Sequence, residues 1–283
     1  MDMKPLHPDF GVEITGVDLR EVTPEIFPAI RRAFDEHSLL LFRDQSMDDP
    51  LILRFGAMFG EIENRTDGPL HVPRVSNVLP DGSVLEPDAL RLKDLQANML
   101  WHTDSTFLPV PALANIITAR IVPSEGGATE LVSTRAGFAR LPDELKEQAR
   151  AATLRHALTH SRSKVDPDLA KAEHITKWEA TRWPAIWVNP VTGAEALYIA
   201  SHAFAVDGMD EAEGLAFIED LTERMVPEEA IYAHQWQVGD VLIWDERATL
   251  HRGMPWPYEQ ARELASICVT AADSDGLDRM RAA

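Results

Sequence analysis

The chain has 283 residues, with 27 Lys and Arg against 46 Asp and Glu, a formal net charge of −19 and a single cysteine, Cys268. A chain this long buries a core without disulfides or structural zinc, so a lone cysteine excludes a disulfide scaffold and any cysteine-based metal site. The acidic balance excludes a general nucleic-acid surface, and no apolar run approaches the roughly 20 residues of a spanning helix. The opening Met-Asp-Met-Lys-Pro has no signal-peptide pattern. A cytoplasmic protein with neither a nucleic-acid nor a membrane partner is expected.

Residues 11–19 alternate apolar and polar at period two, which predicts a strand with one buried face. Ile26, Ile30, Ala33 and Phe34 form the stripe of a helix over 25–37, whose regular part Pro28 delays. Residues 38–42 have the length and apolarity of a buried strand. Asp48, Asp49 and Pro50 open a second helix with Leu51, Ile52, Phe55, Met58 and Phe59 on one face, and Gly60 closes it. Residues 61–100 and 155–195 read as loop-rich and are expected to border a site. The second of these carries Trp178, Trp183 and Trp187, either as a lid or as packing. Strands are predicted at 115–122, 129–132, 232–237, 241–244 and 264–270, and helices at 141–153 and 210–225. With no repeat, low-complexity tract or long linker, residues 1–283 read as one domain. It is mainly β with peripheral helices, a β-sandwich or jelly roll.

Ten histidines and 46 acidic residues produce about 1.6 His-x-Asp/Glu triplets by chance, so such a triplet is weak alone. His7-Pro8-Asp9 lies in the N-terminal tail and reads as a solvated turn. His102-Thr103-Asp104 sits between Met99-Leu100-Trp101 and Ser105-Thr106-Phe107, a strand-like frame in which period two points both side chains to one face. A third ligand must come from elsewhere. His251, near the end of a strand-like segment, is the best candidate, although spacing alone leaves His156, His160, His202 and His234 open. Two histidines and one carboxylate on one face of an octahedral ion leave three positions for a chelating co-substrate and O₂, as in non-haem Fe(II) oxygenases. Arg262, eleven residues after His251, offers the bidentate cation that the distal carboxylate of 2-oxoglutarate requires, with the Thr129 hydroxyl as a second donor.

These pieces together resemble the taurine/2,4-dichlorophenoxyacetate dioxygenase family of Fe(II)- and 2-oxoglutarate-dependent oxygenases. The matching segments are 11–19, Leu-Leu-Phe-Arg at 40–43, 55–60, Asn-Met-Leu-Trp-His-Thr-Asp-Ser-Thr at 98–106 and Pro-Ser-Glu-Gly-Gly-Ala-Thr at 123–129. Gly-Asp-Val-Leu-Ile-Trp-Asp-Glu-Arg at 239–247 and Thr-Leu-His-Arg at 249–252 follow, with Arg262. The resemblance implies a double-stranded β-helix, or cupin-like jelly roll, with Fe(II) on His102, Asp104 and His251 and 2-oxoglutarate on Thr129 and Arg262. It also implies no catalytic group beyond the metal ligands and an O₂-dependent reaction that releases succinate and CO₂.

The resemblance is closest to the dioxygenases of aryloxyalkanoate herbicide acids, such as 2,4-dichlorophenoxyacetate or a phenoxypropionate, where hydroxylation cleaves the ether to a phenol and an oxoacid. A taurine-like sulfonate dioxygenase is the alternative. A non-catalytic cupin-like metabolite-binding protein and a zinc hydrolase are the readings from other classes. The substrate is expected to be a small anion and the protein a homo-oligomer. Family members often carry a second arginine a few residues beyond the one matching Arg262; here Ala265 and Ser266 occupy those places. Lys93 is therefore expected to anchor the substrate anion, with Arg91, Asn98 and Ser105 as further contacts. Arg162 and Lys164 are the other basic residues near a candidate loop. Trp101, Trp244 and Trp256 are expected to pack the barrel, Asp245 and Arg247 to form an ion pair, and Cys268 to act as a buried small hydrophobe.

Overall fold

The computed structural model describes residues 1–66 and 68–282; Asp67, within the 61–100 segment, and Ala283 lie outside them. Its organising element is the strand Val241–Asp245, buried along its whole length. A strand covered on both faces reads as a continuous apolar run. This one pairs antiparallel on both sides, with Leu39–Phe42 (Val241 opposite Phe42) and with Ala112–Ile121 (Val241 opposite Thr118). Around it a seven-stranded sheet runs in the order Asp2–Pro5, Val12–Thr15, Leu39–Phe42, Val241–Asp245, Ala112–Ile121, Glu263–Thr270, Arg74–Ser76. Its one parallel pair joins Val12–Thr15 to Leu39–Phe42. A parallel pair needs a crossover, and the helix Phe27–His37 supplies it, with Pro28 in its first turn and Ile30, Ala33 and Phe34 buried.

A smaller sheet places Thr129–Ser133 between Tyr232–His234 and Thr249–Gly253. Its register sets His251 opposite Leu131, and both Gly253 and His234 opposite Thr129. A third sheet orders Ala203–Val206, Thr153–His156 and Thr181–Pro184, and Glu195–Leu197 pairs with Ile186–Val188. Among the described residues no helix is long and apolar enough to cross a membrane.

The helix expected to close at Gly60 spans Asp49–Gly56, capped by the Asp48 carboxylate, which accepts the Leu51 N–H at 2.9 Å. Gly56 is fixed by packing, since an added Cβ would collide with Ile267 Cδ1 on the sheet. The 61–100 segment is less irregular than expected, holding the strand Arg74–Ser76 and the helix Leu90–Ala97. That helix buries only Leu92 and Ala97, so no apolar stripe announces it. The 155–195 segment contains the helices Leu158–Ser163 and Glu173–Thr176 and the strands Thr181–Pro184 and Ile186–Val188. Trp183 and Trp187 are buried and donate their indole N–H groups to the carbonyls of Thr106 (2.8 Å) and Asp275 (3.0 Å), so both are packing residues. Trp178 instead packs near Phe107, their ring centroids 6.4 Å apart.

The expected Asp245–Arg247 pair is present and larger than foreseen. The buried Arg247 donates through Nε to Asp245 (2.8 Å), through one terminal nitrogen to Asp35 (2.7 Å) and through the other to the Asp275 carbonyl (3.2 Å). Removing the guanidinium leaves the fully buried Asp245 without its charged partner, while Asp35 keeps Arg31 at 2.9 Å, and stranding a buried carboxylate is the costly way to break a buried ion pair. Arg247→Met is expected to lower the unfolding free energy by about 3–5 kcal/mol in urea denaturation, and a loss below about 1 kcal/mol contradicts this account of the core.

Candidate metal centre and binding cavity

The two histidines are brought together by the backbone. His102 N–H donates to the His251 carbonyl (3.0 Å) and His251 N–H to the His102 carbonyl (2.8 Å), an antiparallel bridge outside any longer ladder. The expected strand around His102 is corrected here: the chain leaves the bridge at once, a turn begins at Asp104, and Ser105 takes the left-handed conformation (φ 60°). The turn, and not strand periodicity, carries the Asp104 carboxylate beside both rings.

Asp104 Oδ1 lies 3.8 Å from His102 Nε2 and Asp104 Oδ2 lies 3.8 Å from His251 Nε2, with the ring centroids 4.1 Å apart. These are gaps too long for hydrogen bonds and suited to an ion between the three groups. The His102 Nδ1 proton is held by the Leu100 carbonyl at 2.7 Å, which leaves Nε2 as the ligand atom. Among the described residues this trio is the one cluster of potential ligands close enough to share an ion. Of the rival histidines, His234 bonds to Asp240 (3.1 Å), and His156 is fully buried with no side-chain hydrogen-bond partner among the described residues. His202 stands nearby, its ring 6.2 Å from that of His102, outside the ligand set.

Burial keeps both ligand histidines neutral at physiological pH, holding His102 below its usual range and His251 down at about 3. Burial also resists the Asp104 charge. The His251 and His102 rings, Arg65 and the Asn115 amide overcome it and hold the carboxyl below the usual range. Asn115 donates to Asp104 Oδ2 at 2.7 Å and accepts in turn from the Ser266 hydroxyl at 2.8 Å. Cys268 is only half-buried and lines the cavity, its thiol 3.7 Å from the same carboxylate oxygen, which corrects its expected role as a core hydrophobe.

Glu246, fully buried, was not picked out from sequence. One of its oxygens accepts the Asp104 backbone N–H (2.9 Å) and the other the Trp244 indole N–H (2.7 Å). Burial, reinforced by the Asp104 charge, pushes the Glu246 carboxyl well above its ordinary range. The sequence signal was an acidic residue closing an apolar strand. Trp244 itself stacks 4.6 Å from the His251 ring and lines the cavity, so it does more than pack the barrel.

The trio opens into a cavity of about 340 Å³ between the large and small sheets. Ile117, Asn115, Trp244 and Ser266 come from the large sheet, and Thr129, His251 and Gly253 from the small one. Arg262 lines it too, 3 % exposed and without a carboxylate partner among the described residues. It is held by the Gly127 carbonyl through Nε (3.1 Å) and one terminal nitrogen (2.9 Å), with its guanidinium 4.9 Å from the Trp256 ring centre. Gly127 has φ +68°, and a Cβ there would press within 3.1 Å of the Arg262 side chain, so the glycine is required for this approach. Burial brings the Arg262 pKa down to about 10, which still leaves a cation at neutral pH. Thr129 accepts the Trp236 indole N–H at 3.0 Å, so its own hydroxyl proton is available to a ligand. A buried guanidinium and an available hydroxyl lining one cavity have the chemistry to receive a carboxylate.

The expected substrate contacts divide. Asn98 lines the cavity. Lys93, Arg91 and Ser105 do not. Lys93 lies on the helix Leu90–Ala97 with its ammonium 2.5 Å from Asp166, Arg91 is exposed on the same helix, and Ser105 is buried between Glu63 (2.5 Å) and Arg65 (2.9 Å). The helical spacing that sends Asp94 and Asn98 inward turns Lys93 away. The basic residues that line the cavity are Arg65, Arg74, Arg162 and Arg262.

Comparison with known proteins gives a consistent picture. The family described as "Taurine catabolism dioxygenase TauD, TfdA family" matches residues 2–268. An (S)-phenoxypropionate/alpha-ketoglutarate-dioxygenase of Delftia acidovorans is 33% identical over 273 residues, covering 93% of each chain. An alpha-ketoglutarate-dependent 2,4-dichlorophenoxyacetate dioxygenase of Cupriavidus pinatubonensis is 33% identical over 272 residues, covering 92% of this chain and 94% of that one. The crystal structure of AAD-2 in complex with Mn(II) and N-oxalylglycine superposes with a TM-score of 0.90 at 30% identity, covering 96% of this chain and 98% of that one.

Because Glu246 fixes the backbone that presents Asp104, Glu246→Ala is expected to weaken Mn(II) binding by about 10–100-fold while the far-ultraviolet circular dichroism stays unchanged. Unaltered affinity in a calorimetric titration would show that the His–Asp–His trio positions itself without this support.

Proposed function

As this chain belongs to the TauD/TfdA family and is an Fe(II)- and 2-oxoglutarate-dependent dioxygenase, we propose that its substrate is an aryloxyalkanoate such as 2,4-dichlorophenoxyacetate or a phenoxypropionate. Hydroxylation at the carbon bearing the ether oxygen gives a hemiacetal or hemiketal that collapses to a phenol and an oxoacid, with 2-oxoglutarate and O₂ converted to succinate and CO₂. The observation that carries this reading is that the His–Asp–His trio and the uncompensated Arg262 open into one cavity of a size for two small acids. The names of the relatives point to the aryloxyalkanoates among the family's substrates.

His102, Asp104 and His251 hold the metal, and Thr129 and Arg262 hold the distal carboxylate of 2-oxoglutarate. Bound Fe(II) supplies the oxygen activation that couples decarboxylation of the oxoacid to hydroxylation of the substrate. The two imidazoles stay unprotonated through burial, and Asp104 contributes a single negative charge, so the ligand set leaves the ion one positive charge with which to attract a chelating carboxylate. Asn115 and Glu246 hold Asp104 in one orientation. Ile117, Phe107 and Leu264 on the wall exclude water and offer apolar surface to an aromatic ring. The two sheets that enclose the cavity support a double-stranded β-helix.

Phenoxyacetate, each enantiomer of 2-phenoxypropionate and taurine, supplied with Fe(II), 2-oxoglutarate and air, test the assignment. Phenol release equimolar with succinate is expected, with kcat/KM at least about 100-fold above that for taurine. Preference for taurine, or no phenol from any acid, overturns it. Arg262→Gln is expected to raise the KM for 2-oxoglutarate more than about tenfold.

A further inference from the structure

With Lys93 turned away and no arginine at 265 or 266, the cation that meets the substrate's anion has to come from the residues lining the cavity. Arg262 is committed to 2-oxoglutarate. Arg74 is consumed on the rim by Asp49 (2.7 Å), Glu263 (3.5 Å) and the Val72 carbonyl (2.7 Å). Arg65 is paired with the buried Glu63 on its own loop and with Ser105. Glu63 is 8 % exposed and bonded to Ser105, so it has no route to solvent if displaced.

Arg162 differs in each respect. It lies on the helix Leu158–Ser163 with its side chain 12 % exposed, and its bonds among the described residues are Nε to Asp94 (2.8 Å) and Nη1 to Ser161 (3.3 Å), leaving Nη2 without an acceptor. Its partner Asp94 is 38 % exposed and can be solvated when displaced, so exchanging one carboxylate for another is cheap here and expensive at Arg65. Arg162 also lines the same cavity as His102, Asp104, His251 and His202. An anion on Arg162 therefore sits in the cavity that the metal trio opens into, while Phe107, Leu158 and Trp178 form one apolar cluster, with Leu158 on the same helix as Arg162.

We propose that Arg162 is the specificity-determining cation that receives the carboxylate of the substrate, displacing Asp94. The inference rests on the aryloxyalkanoate assignment above. It also gives Lys93 a different place, since Lys93–Asp166 and Asp94–Arg162 tie the same helix, Leu90–Ala97, to the segment that follows Leu158.

The test is calorimetry on the full chain loaded with Mn(II) and N-oxalylglycine, which does not turn over. It is titrated with phenoxyacetate and with its neutral analogue 2-phenoxyethanol. Arg162→Gln is expected to weaken phenoxyacetate about tenfold or more while changing phenoxyethanol and N-oxalylglycine by less than about threefold. Asp94→Asn removes the competing carboxylate and is expected to tighten phenoxyacetate about threefold. A merely structural role for Arg162 would weaken acid and alcohol alike, and that result, an unchanged acid affinity, or weaker acid binding in Asp94→Asn overturns the proposal. Wild-type protein that takes up Mn(II) and N-oxalylglycine but no aryloxyalkanoate refutes the substrate assignment, and this inference with it.

Discussion

Two hydrogen bonds between the backbones of His102 and His251 join an irregular segment to the strand Thr249–Gly253, and the metal site depends on that join. Side chains alone would have to bring three ligands together from residues separated by about 150 positions, at the entropic cost of closing that loop. Because the backbone pays this cost through a bridge, the imidazoles arrive with their rings already 4.1 Å apart. The turn at Asp104, with Ser105 at φ 60°, then needs only to aim one carboxylate. Glu246 reaches across from the end of the central strand to hold that turn by its N–H, so the large sheet sets the orientation of a ligand that does not belong to it.

Electrostatics divide the molecule in two. The surface is strongly acidic, at a net charge of −19, yet four arginines line the cavity. Long-range attraction of an anionic substrate is absent, and affinity is local. The arginines are graded by their partners among the described residues: buried Glu63 for Arg65, several rim acceptors for Arg74, a half-exposed Asp94 for Arg162, and the Gly127 carbonyl with no carboxylate for Arg262. On the proposed function, this gradient would separate a site ready for a co-substrate at Arg262 from one that exchanges partners at Arg162.

That His102, Asp104, His251, Thr129 and Arg262 come together on one cavity was legible in the sequence because each lies in a segment whose residue types are dictated by its chemistry. His102 and His251 form the bridge with Asp104 just after it, and Gly126-Gly127 permits the backbone to pass under Arg262. The central strands were legible for a plainer reason, since Val241–Asp245 and Leu39–Phe42 are continuous apolar runs. The cavity's other cations were not. Arg162 and Lys93 look alike in sequence, each a basic residue in a polar segment. Only the rotation of two short helices without apolar stripes decides which enters the cavity and which pairs with Asp166 on the outside. Glu246 was equally hidden, because a buried carboxylate is recognisable only from the N–H groups that converge on it. The strand expected at His102 failed because one bridge is enough to hold the residue and the chain turns immediately afterwards.

The most direct test of the central claim is a crystal structure grown anaerobically with Mn(II) and N-oxalylglycine, with the ion located by its anomalous scattering. The account predicts a single strong peak between the Nε2 atoms of His102 and His251 and the carboxylate of Asp104, with the distal carboxylate of the analogue on Arg262 and Thr129. A peak at any other cluster, or an analogue whose distal carboxylate turns away from Arg262, contradicts it.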